Sequence, residues 1–303
     1  MLTRRTLGLR ALGLAASWTL LRQSAAAGQS AAAAPGAPAQ RLQEEFARIE
    51  LATSGRLGVA ALDMETGLRA NRRGDERFPM CSTFKALLAA AILTKVDAGA
   101  EHLSRRIPIA QADILSYAPV TKQHVGTSGL SVGELCEATV TLSDNTAANL
   151  LLATLDGPAG LTRTIRGFGD AITRLDRIEP GLNESIPGDP RDTTTPAAMA
   201  QTLAKLTVGN TLSAASRDVM NGWLIGCKTG AAKLRAGLPA EWRVGDKTGA
   251  GDHGSSNDVA VIWPAGRGPV IVTSYLTETK ASDDRRNAAH AAVGRAVAAA
   301  LGA

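Results

Sequence analysis

Extended, strand-like segments occur only near the two ends of this 303-residue chain, and the long interval between them reads as helix and loop. Residues 57–62 (LGVAAL), a Glu65-Thr66-Gly67 turn and residues 68–73 predict a β-hairpin. Strand signals return only at 242–246, 258–263 and 270–276, the last two rich in Val and Ile. Between them lie an Ala/Leu-rich buried helix from Ser82 to about Asp97 and helical patterns near 131–141, 145–155, 159–167, 196–207 and 213–225. Further helices are expected at 41–51 and 282–301. Strands from both ends must pair to hide their edges. The expected class is therefore α+β: an antiparallel sheet flanked by helices, built from 41–75 and 226–303, with an inserted all-α domain over 76–225. A cleft between two such parts is the usual place for chemistry.

The N-terminus precedes this pattern. Arg4, Arg5 and Arg10 lead into an apolar run over 11–21, followed by Ala25, Ala26 and Ala27. A charged start, a short apolar middle and a small-residue end predict a signal peptide over 1–27, and hence a periplasmic or secreted protein. The run is shorter than the roughly 20 apolar residues that span a bilayer. Thr3-Arg4-Arg5-Thr6-Leu7 suits a twin-arginine signal, with an ordinary Sec leader as the alternative. Residues 28–40 (GQSAAAAPGAPAQ) read as a flexible linker.

The leader also carries four arginines and no acid, so the formal charge of +5 falls to near +1 without it. That balance removes the case for nucleic acid or a membrane surface as partner of the mature chain, and 3% aromatics supply no stacking platform. A monomer acting on a small molecule is expected. Cys81, Cys136 and Cys227 are odd in number and read as buried free thiols. His102, His124, His253 and His290 lack metal-site spacing, so no metal or other cofactor is expected.

Four short motifs could carry chemistry. In Ser82-Thr83-Phe84-Lys85, residues three apart share a helix face, and a desolvated lysine can serve as base to a serine. The same spacing also arises by chance. Ser143-Asp144-Asn145 reads as a helix N-cap or as a second hydroxyl that relays a proton, with Asn145 hydrogen bonding nearby. Lys247-Thr248-Gly249 follows the strand-like 242–246 and would place a fixed positive charge and a close-approaching backbone beside an anionic substrate. Lys228-Thr229-Gly230 has the same letters but follows a helical segment, and reads as a helix end with a Gly cap. Residues 176–192 are turn-rich and aperiodic. Arg177 and Asp192 could close them as an Ω-loop, with Glu179 aimed at a water beside Asn183; a solvated acidic loop is the alternative.

Taken in order, SxxK, SDN, E-x-x-x-N and KTG resemble the class A serine β-lactamase pattern. The resemblance extends to Met80-Cys81, Tyr117-Ala118-Pro119-Val120, SDNTAANLLL from Ser143 and GDPRDTTTP from Gly188, and spans about 42–302. It implies the serine β-lactamase/penicillin-binding fold and hydrolysis of penicillins and cephalosporins through an acyl-enzyme. Ser82 would be the nucleophile, with Lys85 and Glu179 competing as acylation base. Glu179 and Asn183 would hold the hydrolytic water, and Ser143 would protonate the lactam nitrogen. Backbone N–H groups of Ser82 and Ala250 would form the oxyanion hole. Asn145, Lys247, Thr248, Gly249 and Tyr117 would line the substrate site. Arg177 and Asp192 would shape the Ω-loop, and Glu179-Pro180 would be cis.

Two departures stand out. Ser255-Ser256-Asn257 occupies the region where many relatives carry an arginine for the substrate carboxylate, leaving Lys233, Arg235 or Arg286 as substitutes. Cys81 would face Gly251, so the disulfide common in carbapenem-hydrolysing relatives cannot form; Cys136 likewise would face Ala89. The alternative function is a D,D-peptidase or penicillin-binding protein, which shares SxxK, SDN and KTG; Glu179 with Asn183 argues against it.

Overall fold

The structure, a computed structural model, describes residues 36–303. The expected signal peptide, 1–27, lies outside the described residues, as does most of the expected linker. Helix α1 spans Ala37–Thr53, so the end of that linker is helical rather than flexible. The correction has a plain cause: Pro38 sits in the first turn, where its missing N–H forfeits no intrahelical bond.

Strands β1 (Arg56–Asp63) and β2 (Arg69–Arg72) form the expected hairpin. The Asp63 carboxylate closes its turn, accepting from the Glu65 N–H at 3.0 Å and the Thr66 hydroxyl at 2.7 Å. Next come β3 (Phe78–Pro79) and the buried helix α2 (Phe84–Asp97), then β4 (Arg106–Ile107) and β5 (Leu130–Ser131). Helices α3 (Val132–Thr141), α4 (Asn145–Ala153) and α5 (Gly157–Gly167) follow, then β6 (Thr193–Thr194), α6 (Pro196–Thr207) and α7 (Ala214–Ile225). The chain returns to the sheet with β7 (Arg243–Ala250), β8 (Ser256–Trp263) and β9 (Val270–Thr277), and ends in α8 (Asp283–Ala300).

The main sheet has the order β2-β1-β9-β8-β7 and is antiparallel throughout. The first and last strands of the sequence lie side by side at its centre, with Leu57 opposite Leu276. One face packs on α1 and α8 through Phe46, Ile49, Val59, Val272, Val293 and Val297. The other packs on the helical layer around α2 through Leu62, Val261, Ile271, Phe84 and Leu87. Both faces being covered explains why β1, β8 and β9 read as largely apolar runs rather than alternating ones. Helix α2 is buried on every side from Phe84 to Leu93, which explains its lack of a polar face.

Two sequence expectations need correction. Strand β7 does not stop at Asp246 but continues to Ala250, where Thr248, Gly249 and Ala250 pair with Asp258, Asn257 and Ser256. Nor is Lys228-Thr229-Gly230 a capped helix end. Helix α7 ends at Ile225 with Gly226 as its cap, and Gly230 instead leaves room for Asp246, whose Oδ2 would lie 1.9 Å from a β-carbon there.

Candidate active site

Ser82 sits in a tight 3-10 turn, Cys81–Thr83, that feeds directly into α2. Cys81 before it holds a left-handed φ of +44°, and Ser143 one of +61°. Non-glycine residues rarely adopt such angles unless surrounding structure imposes them, and functional sites concentrate them. The turn packs against β7, the edge strand of the sheet. Their approach is close enough that a β-carbon on Gly249 would lie 2.8 Å from the Met80 carbonyl oxygen, which requires glycine there. Asn257 secures the same corner, donating its Nδ2 to the carbonyls of Pro79 and Met80 at 2.9 and 3.0 Å.

One turn into α2, the Lys85 side chain is fully buried. Its Nζ donates to the Ser143 carbonyl at 2.8 Å and to Asn145 Oδ1 at 2.5 Å, and lies 3.0 Å from Glu179 Oε1. Burial lowers its pKa, against the raising effect of Glu179. The same Glu179 Oε1 accepts from Ser82 Oγ at 3.3 Å, while Asn183 Nδ2 donates to Oε2 at 2.5 Å. Glu179 thus bridges the Ω-loop to Ser82. On the opposite side, Lys247 Nζ donates to Ser143 Oγ at 3.1 Å and is pulled down to about 8 by burial and then by the charge of Lys85.

The SDN segment caps a helix through its middle residue and turns its outer two toward Lys85. Asp144 caps α4 through the Ala147 N–H at 2.9 Å and also takes the N–H groups of Val120 and Thr121, both at 2.9 Å. Its neighbours Ser143 and Asn145 point their side chains at Lys85 instead. Ser82, Tyr117, Ser143, Asn145, Asn183, Thr248, Gly249 and Ala250 line one cleft of about 360 Å³, joined by Thr229 and Lys233.

The Ω-loop is closed as its ends suggested. Arg177 Nε donates to Asp192 Oδ2 at 2.6 Å, and the backbone N–H groups of Asp176 and Arg177 donate to Oδ1 at 2.7 and 2.9 Å. The Glu179-Pro180 peptide is cis.

Comparison with known proteins agrees with this geometry. The chain matches the β-lactamase enzyme family over residues 40–301. It is 47% identical to β-lactamase L2 of Stenotrophomonas maltophilia, with 96% of each chain covered. It is 46% identical to β-lactamase CTX-M-8 of Citrobacter amalonaticus, over 86% of this chain and 89% of that one. Among solved structures, an ancestral (GNCA) class A β-lactamase aligns with a TM-score of 0.85 at 62% identity, covering 86% of this chain and 99% of that one. The chain belongs to the class A serine β-lactamase family.

This class A β-lactamase is accordingly a hydrolase of the β-lactam ring and an antibiotic-resistance enzyme. Several of its site residues escaped the sequence reading. Asn149 in α4 grips the Glu179 backbone twice, donating to its carbonyl at 2.9 Å and accepting from its N–H at 3.0 Å. Its signal was a lone amide inside the otherwise apolar end of NTAANLLLA. Thr229, set aside with the second KTG, shares a 2.5 Å hydroxyl contact with Thr248. Nothing in its own letters separates it from Thr248.

The three candidate cations for the substrate carboxylate separate clearly. Arg235 is paired with the buried Asp246, and Arg286 with Asp283 and the Ala281 carbonyl. Lys233 alone of the three lines the cleft. Cys81, Cys136 and Cys227 are all free and buried. A β-carbon on Gly251 would lie 2.7 Å from Cys81 Sγ, so the two positions do face one another.

Proposed function

We propose that this β-lactamase hydrolyses penicillins and cephalosporins in the periplasm or outside the cell, with Ser82 as nucleophile and Glu179 as general base. The observation that carries the reading is the single oxygen, Glu179 Oε1, that touches both Ser82 Oγ (3.3 Å) and Lys85 Nζ (3.0 Å). Lys85 directs its ammonium hydrogens at the Ser143 carbonyl, Asn145 Oδ1 and Glu179, so it acts here as a charge that holds the base. That arrangement favours Glu179 over Lys85 as the acylation base.

In acylation, Ser82 Oγ gives its proton to Glu179 as it bonds to the lactam carbonyl carbon. The Ser82 and Ala250 N–H groups stabilise the resulting oxyanion. The C–N bond then breaks, and the nitrogen takes a proton from Ser143, whose hydroxyl is poised between Lys85 and Lys247. The proton taken by Glu179 passes by way of Lys85, 3.0 Å from Oε1 and 3.3 Å from Ser143 Oγ, to Ser143, which restores both the Ser143 hydroxyl and the Glu179 carboxylate. In deacylation, Glu179 takes a proton from water as the oxygen attacks the ester carbon, and returns it to Ser82 Oγ as that oxygen leaves. Asn183 Oδ1 is a buried acceptor with no protein partner among the described residues, so it can orient that water while Nδ2 holds Glu179. Thr248 and Lys233, which line the cleft, receive the substrate carboxylate, with the fully buried Lys247 adding its charge from behind them, and Tyr117, about half exposed, borders the entrance. With no cysteine opposite Cys81, carbapenems are poor substrates in this reading. The two parts on either side of the cleft are 41–75 with 226–303, and 76–225. The enzyme works as a monomer; no described helix is long and apolar enough to cross a membrane.

Turnover of a chromogenic cephalosporin by the native enzyme and by Glu179→Ala tests the reading. The native enzyme should turn over many times. The variant should accumulate an acyl adduct on Ser82, visible by mass, because its hydrolysis falls by about 10²–10⁴-fold. One stoichiometric burst from the native enzyme would favour the D,D-peptidase alternative.

A further inference from the structure

Behind the cleft, a chain of buried polar groups runs from Lys233 into the core. Lys233 Nζ donates to Ser256 Oγ. On the far side of Ser256, His290 of α8 places Nε2 3.1 Å from both Ser256 Oγ and the Ser256 carbonyl oxygen. Its other nitrogen, Nδ1, lies 2.8 Å from Ser274 Oγ of β9. His290, Ser256 and Ser274 are all buried. A carbonyl oxygen can only accept, so Nε2 carries the hydrogen and Nδ1 accepts from the Ser274 hydroxyl.

We propose that His290 is a positioning residue for substrate capture: through Ser256 it fixes the Lys233 ammonium at the carboxylate end of the cleft. The inference rests on the assignment of Lys233 to the substrate carboxylate. The ordinary alternative is a core histidine that merely satisfies its own two nitrogens. Against it stands the shared partner, because the hydroxyl that His290 holds is the one Lys233 holds. Lys233 is a long, flexible side chain whose three rotatable donors would otherwise sample several geometries.

The surrounding charges suit this role. Burial pushes His290 well below the usual histidine range, so it stays neutral and adds no second positive charge beside Lys233. Lys233 itself is lowered by burial and by Arg286, and raised by Asp258, Asp283 and Asp246. Burial in turn pushes the Asp258 carboxyl up, as does Asp246 beside it, so Asp258 compensates Lys233 only in part. An arriving carboxylate completes that compensation, provided the ammonium is already aimed at it.

Steady-state kinetics on a penicillin separate the two roles. His290→Leu keeps most of the volume and removes both hydrogen bonds. It should raise KM by about tenfold, the scale of one lost charge-linked hydrogen bond, and leave kcat within about twofold. His290→Gln, which retains a donor and an acceptor, should recover most of the loss. Ser256→Ala should reproduce the His290→Leu effect without touching the ring's packing, and so serves if His290→Leu folds poorly. In a Lys233→Ala background, which should itself raise KM, His290→Leu should add nothing. Equal effects of His290→Leu with and without Lys233, or a KM unchanged by His290→Leu whatever Ser256→Ala does, would overturn the proposal while leaving Lys233 assigned. No change of KM in Lys233→Ala alone would instead remove that assignment, and the proposal with it.

Discussion

At the scale of single residues, the site is a set of charges held out of water at fixed distances, and pH is the direct probe of it. Lys247 is pulled down to about 8 from 10.5. In the proposed mechanism, the free enzyme above that pH loses one of the two lysine charges offered to an anionic substrate. We expect kcat/KM to fall as pH rises through about 8, since that parameter follows the free enzyme. The rate constant kcat should hold to higher pH, because a bound carboxylate favours the charged lysine. A kcat/KM profile flat well into the alkaline range would refute this. Stability runs the other way. Between about 8 and 10.5 the folded chain binds fewer protons at Lys247 than the unfolded chain, so the cost of burying this ammonium is fully present below about 8 and relieved as pH rises through that window. A second expectation concerns Asn149. Asn149→Ala leaves the Glu179 N–H and carbonyl without their partners, and should slow deacylation more than acylation while lowering stability by about 1–3 kcal/mol; burst kinetics and thermal melts check it. That Ser82, Lys85, Ser143, Glu179 and Lys247 come together was legible because each belongs to a short motif of fixed spacing. Asn149, Thr229 and His290 were not, because their roles come from contacts 30, 19 and 34 residues away in the chain.

At the scale of elements, the proposed mechanism makes the Ω-loop the part whose integrity distinguishes hydrolysis from simple acylation. It has little regular structure, and its shape depends on Asp192, which is buried and accepts from two backbone N–H groups and the Arg177 guanidinium. Its own backbone carbonyl accepts from the Met80 N–H at 2.9 Å, tying the loop to the turn that carries Ser82. Asp192→Ala leaves two N–H groups without their acceptor and leaves Arg177 only its pair with the more exposed Glu184, which costs on the order of 1–3 kcal/mol. The expected outcome is a lower melting temperature and acyl-enzyme that accumulates because Glu179 is no longer held. A variant that melts lower but deacylates at the native rate would show that the loop's closure is unrelated to the position of Glu179. The ends of this loop were readable in the sequence as an opposite-charge pair. The pairing of β3 with β6 was not, since two residues carry no periodicity. The full extent of β7 was missed for a different reason: Thr248-Gly249-Ala250 is weak strand sequence that the neighbouring β8 makes extended.

At the scale of the whole molecule, the sequence already implied that one sheet joins the two ends, because strand signals occur nowhere else of useful length. Which strands touch was not implied, since five strands can be ordered in an antiparallel sheet in several ways. The layer behind the sheet offers a test of how far stability and catalysis are separate. Phe46 of α1 is fully buried between α8 and the sheet, on the face away from α2. Phe46→Ala should cost about 3–5 kcal/mol and lower the melting temperature by roughly 5–15 °C. Turnover per folded molecule should stay at the native level; a matching fall in kcat would mean the outer layer reaches the cleft. The central pairing also has a consequence for how the molecule is made. Leu57 lies opposite Leu276, so β1 leaves the ribosome long before β9 exists. At about 5–20 residues per second the delay is roughly 10–40 s, during which an apolar strand has only its short hairpin mate. The central layer cannot close until β9 has been made, so the newborn chain stays open at its middle for more than 200 residues of synthesis after β1 is complete.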